Sequence, residues 1–105
     1  MTDENETWQW IMGSSATLFP WWHLTTWHDS SYATPGDITL TINNPNEHPA
    51  DEPISKRLTV SDVVAAWRKA RTECPGLQGM DIEDMDAGSA DVVLQYAVLG
   101  DCLYG

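Results

Sequence analysis

Apolar and polar residues alternate most regularly in the middle of the chain. Ile38, Leu40 and Ile42 are separated by threonines, and residues 54–60 alternate again after a connection rich in proline and asparagine. Because successive side chains of a strand point to opposite faces, both segments are predicted to be strands. We expect them to form a hairpin with a long tip at residues 43–53.

The amino-terminal part alternates less regularly. Trp8, Trp10 and Met12 occupy every second position, a short glycine and serine segment follows, and a second apolar stretch covers residues 18–27. Small polar residues between two apolar stretches favour a turn. This part is therefore predicted to be another hairpin, preceded by a disordered tail at residues 1–6.

The strongest helix signal begins at Thr59. Thr59 and Asp62 have the spacing of a capping box, and Pro75 with Gly76 ends the pattern. Between them, apolar residues recur at the spacing of one helix face. That stripe consists of Val60, Val63, Val64 and Trp67.

A second helix is predicted from Ser89 or Ala90 to Gly100, although a buried valine-rich strand competes for the same residues. Residues 92–99 contain only one strongly polar side chain, that of Gln95. A helix that is apolar nearly all round must be covered on several sides. The elements together predict a single α+β domain over residues 1–105, with an antiparallel sheet of about four strands followed by two helices.

The covering of this last helix has two explanations. In the first, the helix meets its symmetry mate in a homodimer through Leu94 and Val98, while Asp91 and Gln95 mark the face that stays in water. In the second, the tryptophan-rich hairpin folds over the helix and the chain is a monomer. Composition does not decide between them.

Charge narrows the range of partners. Sixteen acidic and five basic residues give a net charge of −11, and all five bases lie between Lys56 and Arg71. Such a chain repels phosphate backbones and anionic lipids, so the expected partner is a protein with a basic surface rather than a nucleic acid or a membrane. The acidic start lacks the form of a secretory signal, and a cytoplasmic protein with two reduced cysteines is predicted.

Six tryptophans are the least ordinary feature of the composition. If residues 18–27 are a regular strand, Trp22 points to one face while Trp21 and Trp27 point to the other. Exposed indoles would form an aromatic platform for a ligand or a protein, whereas buried indoles would fill the core. Both interpretations stay open.

Acidic residues are densest between Asp81 and Asp91. The acidic cluster that we consider for partner binding consists of Asp81, Glu83, Asp84 and Asp86. Its spacing does not match a calcium-binding loop, and a solvated loop leading into a helix also explains it. If the carboxylates gather on one face, they form a partner-binding surface that competes with nucleic acid for a basic groove.

Metal and catalytic motifs are weak. His23 and His28 are five residues apart, which places them on opposite faces of a strand, and no nucleophile or phosphate-binding motif is present. We therefore predict no metal, no cofactor and no catalytic residue.

Three segments of the chain resemble small acidic proteins of unknown function that are encoded by phages of actinobacteria. These segments are Asp37–Asn43, Leu58–Val64 and Ala90–Gly100, followed by Leu103–Gly105. The resemblance covers about the last two-thirds of the chain and transfers no site residues. It implies expression inside a bacterial cell and a protein that engages a host component.

The sequence thus favours a non-enzymatic acidic binding protein that engages an electropositive host protein, with inhibition of a nucleic-acid-binding protein as one form of that activity. A small-ligand or carbohydrate binder that uses exposed tryptophans is the alternative. A metal-dependent hydrolase that uses the acidic residues from Asp81 to Asp91 is the third hypothesis.

Overall fold

Three antiparallel strands and three helices make up the described part of the chain, residues 4–14, 16–43 and 53–101 of a computed structural model. The predicted α+β class is confirmed, with three strands instead of about four and one helix more than expected. The elements in chain order are α1 (Glu4–Met12), β1 (Trp22–His28), β2 (Asp37–Ile42), β3 (Ile54–Leu58), α2 (Val60–Glu73) and α3 (Ala87–Leu99). Short 3₁₀ helices lie at Ala16–Leu18, Pro75–Leu77 and Ile82–Asp84.

The predicted first hairpin is wrong, because its first strand is the helix α1. Trp8, Ile11 and Met12 are buried, and their i, i+3, i+4 spacing is that of a helix face. The same segment also fits the alternation of a strand, at Trp8, Trp10 and Met12, and that pattern led to the wrong prediction. Glu4 begins α1, so the predicted tail overlaps the helix at residues 4–6, while residues 1–3 lie outside the described residues.

The second predicted hairpin is confirmed. Ile38 pairs with Leu58 and Ile42 pairs with Ile54 in the antiparallel β2–β3 ladder. The strand ends at Leu58 rather than Val60 because Thr59 caps α2. Most of the predicted tip, residues 44–52, lies outside the described residues.

A bulge in β1 changes which tryptophans share a face. Trp22 pairs with Ile42 and Leu24 pairs with Thr41, so His23 is an extra residue in β1. Trp27 pairs with Ile38, which lies on the same face of β2 as Ile42. The expectation that Trp22 and Trp27 point to opposite faces is therefore wrong, because the bulge reverses the alternation between them.

Local capping signals predict α2 and α3 well. The Thr59 hydroxyl accepts a hydrogen bond from the Asp62 backbone N–H at 3.2 Å, and the Asp62 carboxylate accepts one from the Thr59 N–H at 2.9 Å. Asp86 caps α3, which begins at Ala87, two to three residues before the predicted start. Gly100 ends α3 in the left-handed region at φ 78°.

The sheet and two helices enclose α3 within the single chain. The helices α1 and α2, the strand β3 and the 3₁₀ helix Ala16–Leu18 all pack against it. This arrangement explains why α3 is apolar on most sides. Among the described residues, no helix has the length and apolarity needed to cross a bilayer.

Candidate protein-binding surface

The acidic cluster lies on the surface around the 3₁₀ helix Ile82–Asp84. Its four carboxylates are exposed, and within the described ranges no lysine or arginine nitrogen lies within 4.0 Å of them. Asp86 also has a structural role, because a hydrogen bond of 2.7 Å from the backbone N–H of Ser89 lowers the pKa of the Asp86 carboxyl. The cluster consists of Asp81, Glu83, Asp84 and Asp86.

The three tryptophans of the predicted platform have different environments. Trp22 is buried in the core, and Trp21 is half-buried and stacks on Phe19 with ring centroids 5.1 Å apart. Trp27 keeps 39% of its surface exposed. A single platform of all three rings is therefore not formed, and of the three residues only Trp27 is exposed.

Trp21 and Trp22 share one buried acceptor, the carboxylate of Asp91. Its Oδ1 accepts hydrogen bonds from the two indole N–H groups at 2.8 and 2.6 Å, and its Oδ2 accepts one from the Gln95 side-chain amide at 2.9 Å. Asp91 is only 3% exposed and Gln95 is fully buried. The prediction that Asp91 and Gln95 face water is wrong, because buried indole N–H groups require an acceptor.

The residues predicted to form a dimer interface are buried within one chain. Leu94 is fully buried and Val98 is nearly so. Both belong to the same hydrophobic core as Trp8 and Trp22. The amino-terminal segment supplies part of the cover that the dimer was expected to provide, although as a helix and not as a hairpin.

An accessible apolar surface lies elsewhere, in a groove of about 320 Å³ that we call the aromatic groove. Leu18 is 81% exposed and Tyr32 is 64% exposed, and they line this groove together with Trp27. Leu18 also lines a second shallow groove of about 300 Å³ beside Phe19 and Pro20. The aromatic groove is formed by Met12, Gly13, Thr17, Leu18, Trp27 and Tyr32.

Contacts from α1 position the walls of the aromatic groove. The Trp8 indole N–H donates to the Ser31 carbonyl at 2.9 Å, and the Gln9 side-chain amide donates to the Ala33 carbonyl at 2.8 Å. The Trp8 ring also meets Trp27 edge to face, with centroids 6.4 Å apart. These contacts hold both Trp27 and the loop that carries Tyr32.

Sequence patterns indicate this groove only in part. Trp27 was a candidate residue, whereas Leu18 and Tyr32 were not distinguished from core residues. The missing information was the position of the bulge and the helical state of residues 4–12, both of which depend on contacts distant in sequence.

The lysines and arginines lie outside the segment of the sequence that supplies the exposed apolar side chains. Residues 1–55 contain no lysine or arginine, and the five bases belong to β3 and α2. Arg57 pairs with Asp37 at 3.0 Å, and Lys69 lies 4.0 Å from Glu73. A partner that contacts the aromatic groove therefore approaches a segment whose charged residues are all acidic.

Metal ligands are not gathered in the described part of the chain, where no three His, Cys, Asp or Glu side chains form a potential site. His28 instead shares a 2.7 Å hydrogen bond with the Thr39 hydroxyl. The Cys74 thiol is free and half-buried, and Cys102 lies outside the described residues.

No family model, curated protein or solved structure matches the chain. The resemblance to phage proteins therefore stays a prediction.

Proposed function

We propose that this chain is a non-enzymatic binding protein that engages another protein through the aromatic groove, and that the partner carries a basic surface. One observation carries the proposal. Three of the five large hydrophobic residues that are exposed in the described part of the chain, Leu18, Trp27 and Tyr32, line this one groove, in a stretch without lysine or arginine. Exposed apolar surface that is concentrated in this way is typical of protein interaction sites.

The chemistry of the groove fits a protein anchor. Tryptophan and tyrosine are enriched among the residues that dominate binding energy at interfaces. Leu18 stands between two shallow grooves, so an apolar side chain of the partner can pack on either side of it. Because α1 and the loop are joined by side-chain hydrogen bonds, the groove is formed before the partner binds.

Charge supports the choice of partner. A net charge of −11 attracts a basic protein over distances of about one Debye length, roughly 10 Å at 0.1 M salt. The acidic cluster adds four exposed carboxylates that no described cation neutralises. We assign these carboxylates to steering the encounter and the aromatic groove to holding the complex.

The partner class follows from the same reasoning. Proteins that bind nucleic acids present basic surfaces, and an acidic protein on such a surface would exclude the nucleic acid. The sequence resemblance favours a cytoplasmic host protein of a bacterial cell as the partner. This form of the proposal makes the chain an inhibitor of that host protein.

Affinity capture with matched variants tests the proposal. Immobilised wild-type protein is compared with Leu18→Ser in a bacterial lysate at low and high salt, and captured proteins are then tested singly by surface plasmon resonance. Leu24→Ser is the control, because Leu24 is also exposed but lies on the opposite sheet face from Trp27. We expect a partner whose dissociation is faster with Leu18→Ser and unchanged with Leu24→Ser.

The role of the carboxylates is tested through the association rate of the complex rather than through its dissociation rate. Changing Asp81, Glu83 and Asp84 to lysine is expected to slow association and to reduce its salt dependence, with little effect on dissociation. Association that is equally fast in dilute buffer and at half-molar salt contradicts the steering role. A partner that binds Leu18→Ser and wild type equally well contradicts the role of the groove.

A small ligand is the second candidate, because Trp27 and Tyr32 place two rings in one groove of small-ligand size. A neutral sugar would stack on these rings, and its binding would not depend on salt. Titration with glucose and cellobiose, followed by tryptophan fluorescence in wild type and Trp27→Phe, separates this candidate from the protein partner.

A further inference from the structure

A second cleft, of about 260 Å³, lies between α1, α2 and the segment before the 3₁₀ helix Ile82–Asp84. It is at the other end of α1 from the aromatic groove, since Glu4 and not Met12 lines it. Two guanidinium side chains enter it from α2, those of Arg68 and Arg71. Their spacing of three residues places both on one face of the helix.

Arg71 stacks on an aromatic ring within this cleft, and one of its nitrogens has no hydrogen-bond partner among the described residues. Its guanidinium lies over the Trp67 ring, with the central carbon 5.1 Å from the ring centroid. Its Nε is buried and has no hydrogen-bond partner among the residues that the structure describes. The terminal guanidinium nitrogens of Arg71 are not buried and form no ion pair among the described residues, so an acceptor that enters the cleft gains a charge-assisted hydrogen bond with them.

The cleft also contains carboxylates, from Glu4 on α1 and Asp81 beside the 3₁₀ helix. Neither lies within 4.0 Å of a described lysine or arginine nitrogen. They repel a multiply charged anion such as phosphate, and the net charge of the whole chain has the same effect. A single carboxylate that is accompanied by a positive charge avoids this repulsion.

We propose that this cleft binds a zwitterionic group, in which a carboxylate meets Arg71 and Arg68 while a nearby ammonium meets Glu4 or Asp81. A planar carboxylate matches the parallel N–H groups of a guanidinium, and the Trp67 ring keeps that guanidinium in place. The chemistry is that of a free amino acid or of a chain that ends in lysine. The site is independent of the aromatic groove.

Nuclear magnetic resonance of the arginine Nε–H groups tests the site directly. The chain has three arginines, and Arg→Lys variants assign the three signals. The probes are glycine for a free amino acid and Nα-acetyl-lysine, which keeps its side-chain ammonium, for a chain that ends in lysine. Acetate, ethylammonium and inorganic phosphate serve as partial mimics. We expect the Arg71 signal to shift saturably with glycine or Nα-acetyl-lysine, with about tenfold weaker binding of every partial mimic.

The zwitterion that binds with the lower dissociation constant shows whether the site prefers a free amino acid or a chain that ends in lysine. Acetate or phosphate binding as tightly as both zwitterions would show an anion site only and overturn the proposal. An Arg71 signal that does not move with any probe up to about 50 mM would overturn it as well.

Two pairs of variants distinguish a binding role from a structural one. Arg71→Lys is expected to weaken zwitterion binding about tenfold, whereas Arg57→Lys on the sheet leaves it unchanged. Asp81→Asn is expected to weaken zwitterion binding but to strengthen acetate binding, because it removes a repulsive charge. Glu83→Gln, outside the cleft lining, is expected to change neither. If Asp81→Asn changes the affinities for the zwitterion and for acetate equally, the proposed geometry is wrong.

Discussion

Side-chain hydrogen bonds stabilise two regions of this protein over very different distances along the chain. In the aromatic region, residues 4–34, Trp8 and Gln9 bond to carbonyls 23 and 24 residues away, and Trp21 and Trp22 reach Asp91 across 70 and 69 residues. In the helical region, residues 59–100, the capping bonds join residues only three apart. The aromatic region therefore requires the assembled fold, whereas the helix starts of α2 and α3 are specified locally.

The two regions also differ in what they expose. Trp67 of α2 is 6% exposed, while the aromatic region contains every large exposed hydrophobic of the described residues. The helical region thus acts as a scaffold, and the aromatic region presents the candidate binding surface. Long-range bonds keep that surface ordered even though its apolar side chains are incompletely buried.

The largest expected effect compares two tryptophans, one from each region. Trp67→Ala should lower the free energy of unfolding by about 3–5 kcal/mol, because it leaves a cavity in the core. Trp27→Ala should cost less than half as much, since Trp27 is already partly in water. Urea denaturation of both variants measures the difference, and equal losses would refute the division into scaffold and surface.

The next effect concerns the buried acceptor that joins the two regions. Asp91→Ala leaves two indole N–H groups and the Gln95 amide without this partner. The variant no longer buries a carboxylate, which offsets part of the loss, so we expect about 1 kcal/mol for each donor and roughly 3 kcal/mol in all. Asp91→Asn keeps an oxygen for the indoles and should cost clearly less. If the alanine and asparagine variants unfold at the same urea concentration, the hydrogen bonds do not provide the stability.

A smaller effect separates long-range from local restraints. Gln9→Ala removes the bond to the Ala33 carbonyl without leaving a cavity, because Gln9 is exposed, and should cost about 1 kcal/mol, with faster amide exchange confined to residues 29–34. Thr59→Ala removes a helix cap and should also cost about 1 kcal/mol, with faster exchange in the first turn of α2. Hydrogen exchange by mass spectrometry tests both. Exchange that rises throughout the chain in both variants would contradict the distinction.

The smallest effect is a dependence on pH at the start of α3. The pKa of Asp86 is lowered from its ordinary value of 3.8, chiefly by the Ser89 backbone N–H, so its charged form stabilises the fold above that value. This contribution is lost as the pH falls below about 3.8 through the lowered folded-state pKa. Asp86→Asn keeps the cap but does not titrate, and it should show a weaker acid-side loss of thermal stability than wild type. Matching melting curves for both proteins between pH 2 and 5 would remove this role.

The sequence by itself determined the elements whose signals are local. The alternation of Ile38, Leu40 and Ile42 predicted β2 and its pairing with β3, and the Thr59 and Asp62 spacing predicted the start of α2. Gly100 predicted the end of α3. These signals act within a few residues, so no tertiary contact is needed to interpret them.

Tertiary structure decided the parts on which the candidate site depends. Residues 8–12 fit both a strand and a helix pattern, and burial against α2 and α3 selects the helix. The bulge at His23 brings Trp22 and Trp27 to one face, and the position of a bulge is set by pairing with β2. Asp91 is predicted to lie on the surface because it is charged, and its indole partners are about 70 residues away in the sequence. Such choices depend on which distant groups meet, and only the folded chain brings those groups together.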